Sequence, residues 1–209
     1  LPVSPHVMCP GCPHRGLFYA LRRNKAVVSS DIGCYTLSVM PPLSGIDCQV
    51  CMGASVGMAL GMEKAFATSD VNADKAGKVV GVLGDSTFIH AGITGLIDMV
   101  YNRTPTTMII LDNRTTAMTG FQEHPGTGRT LMGEEAHALD LVELAKAVGV
   151  ESVRVVDPWR LEETEAVVRE EMAAPRTSVI ISLRSCSLKE HLKTASYRVA
   201  AESRDFCTR

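Results

Sequence analysis

The sequence predicts an α/β fold, a parallel sheet with helices on both faces. Short runs rich in Val and Ile recur at 26–30, 78–83, 107–111, 152–156 and 178–183, as expected of strands buried on both sides. Segments with helical spacing of apolar residues follow or separate them, the pattern of repeated strand–helix units. The loops after four of these runs carry Cys34, Asp85, Asn113 and Cys186. Parallel strands bring their carboxyl ends to one edge, where such sheets bind ligands.

In order, Cys9-Pro10-Gly11-Cys12-Pro13-His14 is a turn, because two prolines and a glycine interrupt any helix. Residues 15–23 read as a helix with Leu17, Phe18 and Leu21 on one face. The strand at 26–30 runs into Asp31-Ile32-Gly33-Cys34-Tyr35, a loop at its carboxyl end. Residues 41–51 are expected to be irregular. A helix over 52–66 carries Gly53, Gly57 and Gly61, read as close packing against a neighbour, with Gly53 able to admit a ligand to the backbone. Residues 78–86 form a strand ending in Gly84-Asp85-Ser86, followed by a helix over 87–102 and a strand over 107–111. Residues 113–137 are long, polar and glycine-containing, and a loop of that length is usually functional or disordered. Asp140 caps a helix reaching Val148, which Gly149 stops. A strand, a helix over 160–172 and a last strand complete the pattern. After Ser187 the chain turns polar and basic.

At 209 residues the chain is long enough for one well-packed domain. It has no run of about 18 apolar residues, and nothing in Leu1-Pro2-Val3-Ser4-Pro5 reads as a secretory signal. A net charge of −2 argues against general binding to nucleic acid or anionic membranes. Seven cysteines without a signal read as thiols or metal ligands, which fits a cytoplasmic setting.

Two strand-ending oxygen donors, Asp85 and Asn113, suggest a magnesium–diphosphate site. Mg2+ takes about six oxygen ligands and usually shares some with phosphates. The Thr115 carbonyl is a candidate third protein ligand. The amino end of the helix after Gly84, Asp85, Ser86 and Thr87 would favour an anion. The sequence contains neither a Walker-type phosphate loop nor a nucleophile elbow.

Five segments carry a family resemblance: Cys-Pro-Gly-Cys-Pro-His-Arg at 9–15, Asp-Ile-Gly-Cys-Tyr-Thr-Leu at 31–37, Cys-Met-Gly-Ala-Ser-Val-Gly at 51–57, Gly-Asp-Ser-Thr-Phe-Ile-His-Ala-Gly at 84–92, and Leu-Asp-Asn-Arg-Thr-Thr-Ala-Met-Thr-Gly at 111–120. The chain resembles the thiamine-diphosphate-binding domain of the 2-oxoacid:ferredoxin oxidoreductases, and within them the alpha subunits acting on indolepyruvate. The resemblance implies the thiamine-diphosphate-binding fold. It implies Asp85, Asn113 and the Thr115 carbonyl as Mg2+ ligands, and Gly84, Ser86 and Thr87 as the diphosphate turn. Gly33, Cys34, Gly53, Met118 and Thr119 match the wall around thiazolium and substrate. Ser86 departs from the commoner Gly-Asp-Gly motif.

The same resemblance implies a 4Fe–4S cluster on Cys9, Cys12, Cys34 and Cys186, the alternative being buried free thiols. Pro13-His14 after Cys12 departs from the related branches. Cys48 and Cys51 have too few nearby helpers to suggest zinc. His90 is read as lining the site or packing its helix, and His124 as touching substrate or lying solvated in its loop.

The implied activity is oxidative decarboxylation of an aryl pyruvate to an acyl-coenzyme A, with electrons passed to ferredoxin. The implied partners are a pyrimidine-binding domain of the same full-length chain, a beta subunit, ferredoxin, coenzyme A and the 2-oxoacid, in an oligomer. No residue here matches the activating glutamate, which is expected on that other domain. Residues 1–190 are the expected binding domain. Residues 191–209 are expected to be a linker and the start of a ferredoxin-like module, with Cys207 its first ligand. The missing initiator Met also suggests a piece of a longer chain. Two alternatives share the fold: a nonoxidative thiamine-dependent decarboxylase subunit and a non-catalytic assembly module.

Overall fold

The computed structural model describes residues 6–194. Its centre is a parallel six-stranded sheet of β1 (Val27–Ser30), β2 (Cys48–Gln49), β3 (Val79–Gly84), β4 (Thr107–Asp112), β5 (Ser152–Val156) and β6 (Ser178–Leu183). The strand order is β2-β1-β3-β4-β6-β5. Residues 41–51 are therefore not wholly irregular. Two of them pair with Ser29 and Ser30 as an edge strand, too short to show an alternating pattern.

The helices are α1 (His14–Arg23), α2 (Ala54–Ala67), α3 (Asp85–Thr87), α4 (Ile93–Tyr101), α5 (Leu141–Val148), α6 (Leu161–Ala173) and α7 (Ser187–Thr194). A π-helical turn, Phe88–Gly92, joins α3 to α4 in one continuous run. The capping predicted for α5 is present: Asp140 accepts from the N–H groups of Val142 and Glu143, and Gly149 closes the helix at φ 102°. Helix α7 was not expected, because its polar sequence shows little apolar patterning. Cys207 and the expected module start at 195–209 lie outside the described residues.

Two apolar layers sandwich the sheet. Successive residues of β4 alternate between them, because strand side chains have period two. Ile109 and Leu111 join Leu17, Phe18 and Leu21 of α1 and Val167 and Val168 of α6. Met108 and Ile110 join Val56 of α2, Leu96 and Met99 of α4, and Leu141 and Ala145 of α5. Each of the Val, Leu, Ile, Phe and Met side chains, fully buried, contributes roughly 1.5–3 kcal/mol.

One packing expectation is corrected. Gly57 and Gly61 face open space, with nothing within 4 Å of a Cβ built on either. The close approach of α2 uses other residues: the Ser55 carbonyl and the Ala59 methyl lie against Gly81, and Val56 fits against Gly95. Four-residue spacing gives a stripe of small residues but does not say which way it faces.

The order of the strands fixes where a crevice opens. The chain leaves β1 toward β2 on one side and leaves β3 toward β4 on the other. At such a switch point the two following loops diverge and leave a gap at the carboxyl ends. Here those loops begin at Asp31 and Asp85.

Candidate cofactor site

A cavity of about 160 Å³ lies in that crevice. Its walls include Gly33, Cys34 and Tyr35 after β1, Gly84, Asp85, Ser86 and Thr87 after β3, and Asn113, Thr115, Met118 and Thr119 after β4. Met52 also contributes. Gly53 does not line the cavity. Its φ of +90° starts α2, and a Cβ there would lie 2.8 Å from that of Ala91. His90 is solvent-exposed and is not part of the wall.

Asp31 holds the first loop in place. Its carboxylate accepts from the N–H groups of Gly53 and Ser55, both at 2.7 Å, and so joins β1 to the start of α2. Burial pushes its pKa up, against the pull of those two donors. Tyr35 joins the first loop to the second: its hydroxyl accepts from the Gly84 N–H at 3.1 Å. The Tyr35 ring lies so close to Gly33 that a Cβ there would be 2.3 Å from Cε1. The loop sequence alone gives no role to Asp31 or Tyr35, because the partners that define those roles, Gly53 and Ser55 in one case and Gly84 in the other, lie far along the chain. The unusually polar residue directly after a buried strand was the available signal for Asp31.

Asp85 and Asn113 are both buried, at 3% and 9% exposure. Asp85 Oδ1 accepts from the Ser86 N–H at 2.7 Å, and Oδ2 from the Arg114 N–H at 3.1 Å. Asn113 Oδ1 accepts from the Thr115 N–H at 3.2 Å, and its Nδ2 lies 3.4 Å from His14 Nε2. Burial lowers the pKa of His14 to about 4, although the Asp85 carboxylate opposes the shift. The ring is therefore neutral at pH 7 and can accept from the Asn113 amide.

Asp112 adds a second buried carboxyl beside Asp85. Burial and the Asp85 charge raise its pKa to about 6, against the pull of Arg114. Two adjacent buried carboxylates disfavour each other's ionisation, and a divalent cation would relieve that repulsion. His124 adds to the fit. It is buried, its Nε2 stands 3.2 Å from Asp85 Oδ2, and that nitrogen makes no formed hydrogen bond. The approach is close but off the line a hydrogen bond needs. The polar loop sequence reads as placing His124 in solvent, and the structure buries it instead.

A second, apolar cavity of about 80 Å³ lies next to the first. Cys9, Cys12, Cys34 and Cys186 all line it, and His14, Cys34, Asn113 and Ala117 belong to both cavities. Burial, chiefly, with the neighbouring thiols Cys9, Cys34 and Cys186, raises the pKa of Cys12 to about 11. Burial and the Cys186 and Cys9 thiols likewise raise that of Cys34. These are protonated thiols at neutral pH unless a metal stabilises their anions. Among the described residues, no three Cys, His, Asp or Glu side chains are grouped to hold a single metal ion. Cys51 is exposed, and Cys48 contacts the Met62 sulfur at 3.4 Å.

A larger, more open hollow of about 640 Å³ lies beyond β6, lined by Arg114, Trp159, Arg184 and His191 among others. Its arginines are already engaged. Arg184 pairs with Asp157 at 2.6 Å and stacks on Trp159, and Arg114 pairs with Asp112. The smaller cavity holds the converging strand-end donors.

The chain is 42% identical over 192 residues to the indolepyruvate oxidoreductase subunit IorA of Archaeoglobus fulgidus, covering 90% of this chain and 29% of that protein. It is 41% identical over 217 residues to the subunit of the same name from Methanothermobacter marburgensis, covering 99% and 34%. The chain thus spans about a third of the length of these curated relatives. The fold is similar to that of the 2-oxoglutarate:ferredoxin oxidoreductase from Magnetococcus marinus, with a TM-score of 0.71 and 17% identity over 88% of this chain and 65% of that one. A 4-hydroxybenzoylformate decarboxylase from Rhodococcus jostii has the same fold at a TM-score of 0.59 and 22% identity, over 90% and 36%. Residues 31–182 match the family described as thiamine pyrophosphate enzyme, C-terminal TPP binding domain. That match spans both strand-end donors and most of the cavity, and the chain belongs to this family.

Proposed function

We propose that this chain holds the diphosphate end of thiamine diphosphate, with Mg2+, in a 2-oxoacid:ferredoxin oxidoreductase that acts on an aryl pyruvate such as indolepyruvate. The observation that carries the reading is the convergence of Asp85 and Asn113 on one cavity, next to a second cavity lined by four cysteines. Identity to the indolepyruvate oxidoreductase subunits supports the substrate class.

Asp85, Asn113 and the Thr115 carbonyl would hold the cation, and Gly84, Ser86 and Thr87 would meet the diphosphate. Gly33, Cys34, Met118 and Thr119 would bound the reacting end. When bound, thiamine diphosphate supplies the carbanion that adds to a 2-oxoacid carbonyl, and the protein's part is to position it. Buried His14 keeps a neutral ring against Asn113 and so adds no competing charge to the cation site. Cys9, Cys12, Cys34 and Cys186 would hold a 4Fe–4S cluster. A shared wall of His14, Cys34, Asn113 and Ala117 would then separate the cluster from the cofactor by a single layer of residues. The cysteine cavity favours this reading over a nonoxidative decarboxylase, which has no use for four converging thiols.

Ile32, Met52 and Met118 are exposed apolar residues on the cavity wall. They suit burial under the pyrimidine-binding domain, which would also bring the activating glutamate. A beta subunit, ferredoxin and coenzyme A complete the proposed assembly, in the cytoplasm. The test is indolepyruvate-dependent reduction of ferredoxin by the complete protein. Activity should require thiamine diphosphate and Mg2+ and be lost with Asp85→Ala. Carbon dioxide release with no ferredoxin reduction would favour the decarboxylase, and no cofactor binding at all would favour an assembly module.

A further inference from the structure

The long loop after β4 places His124 against Asp85, and the reading above gives that histidine no part. Its Nδ1 accepts from the Gly126 N–H at 3.2 Å. With Nδ1 accepting, a ring proton is on Nε2, the nitrogen that lies 3.2 Å from Asp85 Oδ2. The residue is 93% buried, at 7% exposure, and Nε2 has no other partner. Nε2 lies beside the Asp85 carboxylate with no hydrogen bond formed, and because a buried N–H left unpaired is costly, a turn of the carboxylate toward it is favoured, a turn that the fold of the loop does not itself require. Main-chain bonds already close the surrounding turn: Thr127 N–H donates to the His124 carbonyl, Leu139 N–H to that of Pro125, and Ala136 N–H to that of Gly128.

An ionised carboxylate has about four acceptor positions, two on each oxygen. Ser86 N–H takes one on Oδ1 and Arg114 N–H one on Oδ2. An N–H from His124 would take the second on Oδ2, leaving Oδ1 with the remaining one for a cation.

We propose that His124 is a positioning residue: it orients the Asp85 carboxylate for Mg2+ and so makes metal affinity depend on the loop after β4 being in place. The proposal rests on the magnesium reading above. Groups that orient a metal ligand from behind typically affect metal affinity by about 10–100-fold.

The test is a calorimetric titration of Mg2+ into the complete protein at saturating thiamine diphosphate, with thermal unfolding of the metal-free protein alongside. His124→Phe should weaken Mg2+ by about tenfold or more with its unfolding midpoint unchanged. His124→Gln, whose amide N–H falls near the place of Nε2, should recover most of that affinity, and His124→Asn should not. Affinity in His124→Phe within about twofold of wild type would overturn the proposal. If the phenylalanine variant does not fold, the Gln and Asn variants decide, since equal affinity in those two overturns it as well. A wild-type protein without Mg2+-dependent binding would overturn the magnesium reading and this proposal with it. That failure is recognisable because Asp85→Ala would then behave like wild type.

Discussion

The Cys186 N–H donates to the Asn113 carbonyl oxygen at 3.0 Å, so main chain ties the cysteine cavity to the end of β4. If the four thiols hold a cluster, Cys186→Ser in anaerobically prepared complete protein should lower bound iron by about four per chain. Cys51→Ser should leave it unchanged, because that side chain is exposed and outside the cavity. Iron and sulfide analysis with electron paramagnetic resonance reads the outcome. Equal iron in wild type and Cys186→Ser would leave the cysteines as free thiols.

Asp85 and Asn113 end neighbouring strands, where Gly84 pairs with Leu111. Removing either donor takes away a proposed direct metal ligand. Asp85→Ala and Asn113→Ala should each weaken Mg2+-dependent thiamine diphosphate binding by more than the roughly 10–100-fold typical of an outer partner. Titration of cofactor with and without Mg2+ separates this from a general loss of binding, which would lower both.

Gly33→Ala should destabilise the fold by about 1–3 kcal/mol, as overpacking of a well-filled site does. The added methyl meets the Tyr35 ring, and Tyr35 is what accepts the Gly84 N–H. Denaturant midpoints measure the loss. Combining Gly33→Ala with Tyr35→Ala should cost less than the sum of the two single changes, because the clash partner is gone. Strict additivity would show that the ring is not the obstacle.

Asp31 predicts a pH dependence. Burial raises its pKa in the folded protein above the unfolded value, so the native state binds the proton more tightly. Its contribution therefore falls as pH rises from about 4, the ordinary Asp value, through the raised native value, and is constant above that. Asp31→Asn should remove this component, which makes the difference in stability between the two proteins vary with pH in that window and nowhere higher. Asp31→Ala leaves two N–H groups at the start of α2 without acceptors, at about 1–3 kcal/mol each if they stay buried. Urea unfolding at a series of pH values reads both effects.

The sheet was legible because Val28, Val80, Ile109 and Ile180 sit in runs apolar on both faces, and such runs admit few other arrangements. Asp85 and Asn113 were legible as strand-ending polar residues at one edge. The unread parts depend on direction or distance. Strand β2 is only two residues long, and α7 is too polar to show a face. Gly57 and Gly61 have helical spacing but point outward. His124 and Asp31 owe their meaning to contacts with residues far along the chain, Asp85 in one case and Gly53 and Ser55 in the other. Nothing local in Glu123-His124-Pro125 says that the imidazole is buried.

The reversal of strand order beside β1 also bears on when the site can exist. Val27 pairs with Val79, so the two walls of the crevice come from segments separated by the whole of β2, α2 and the loop that follows. Contacts between such distant segments form late, because closing a long loop has an entropic cost before any packing repays it. A partly synthesised or partly folded chain that has not laid β3 beside β1 therefore has neither cavity. Binding of the cofactor becomes a report on completed assembly of the sheet, and added cofactor should slow unfolding without speeding the early steps of folding.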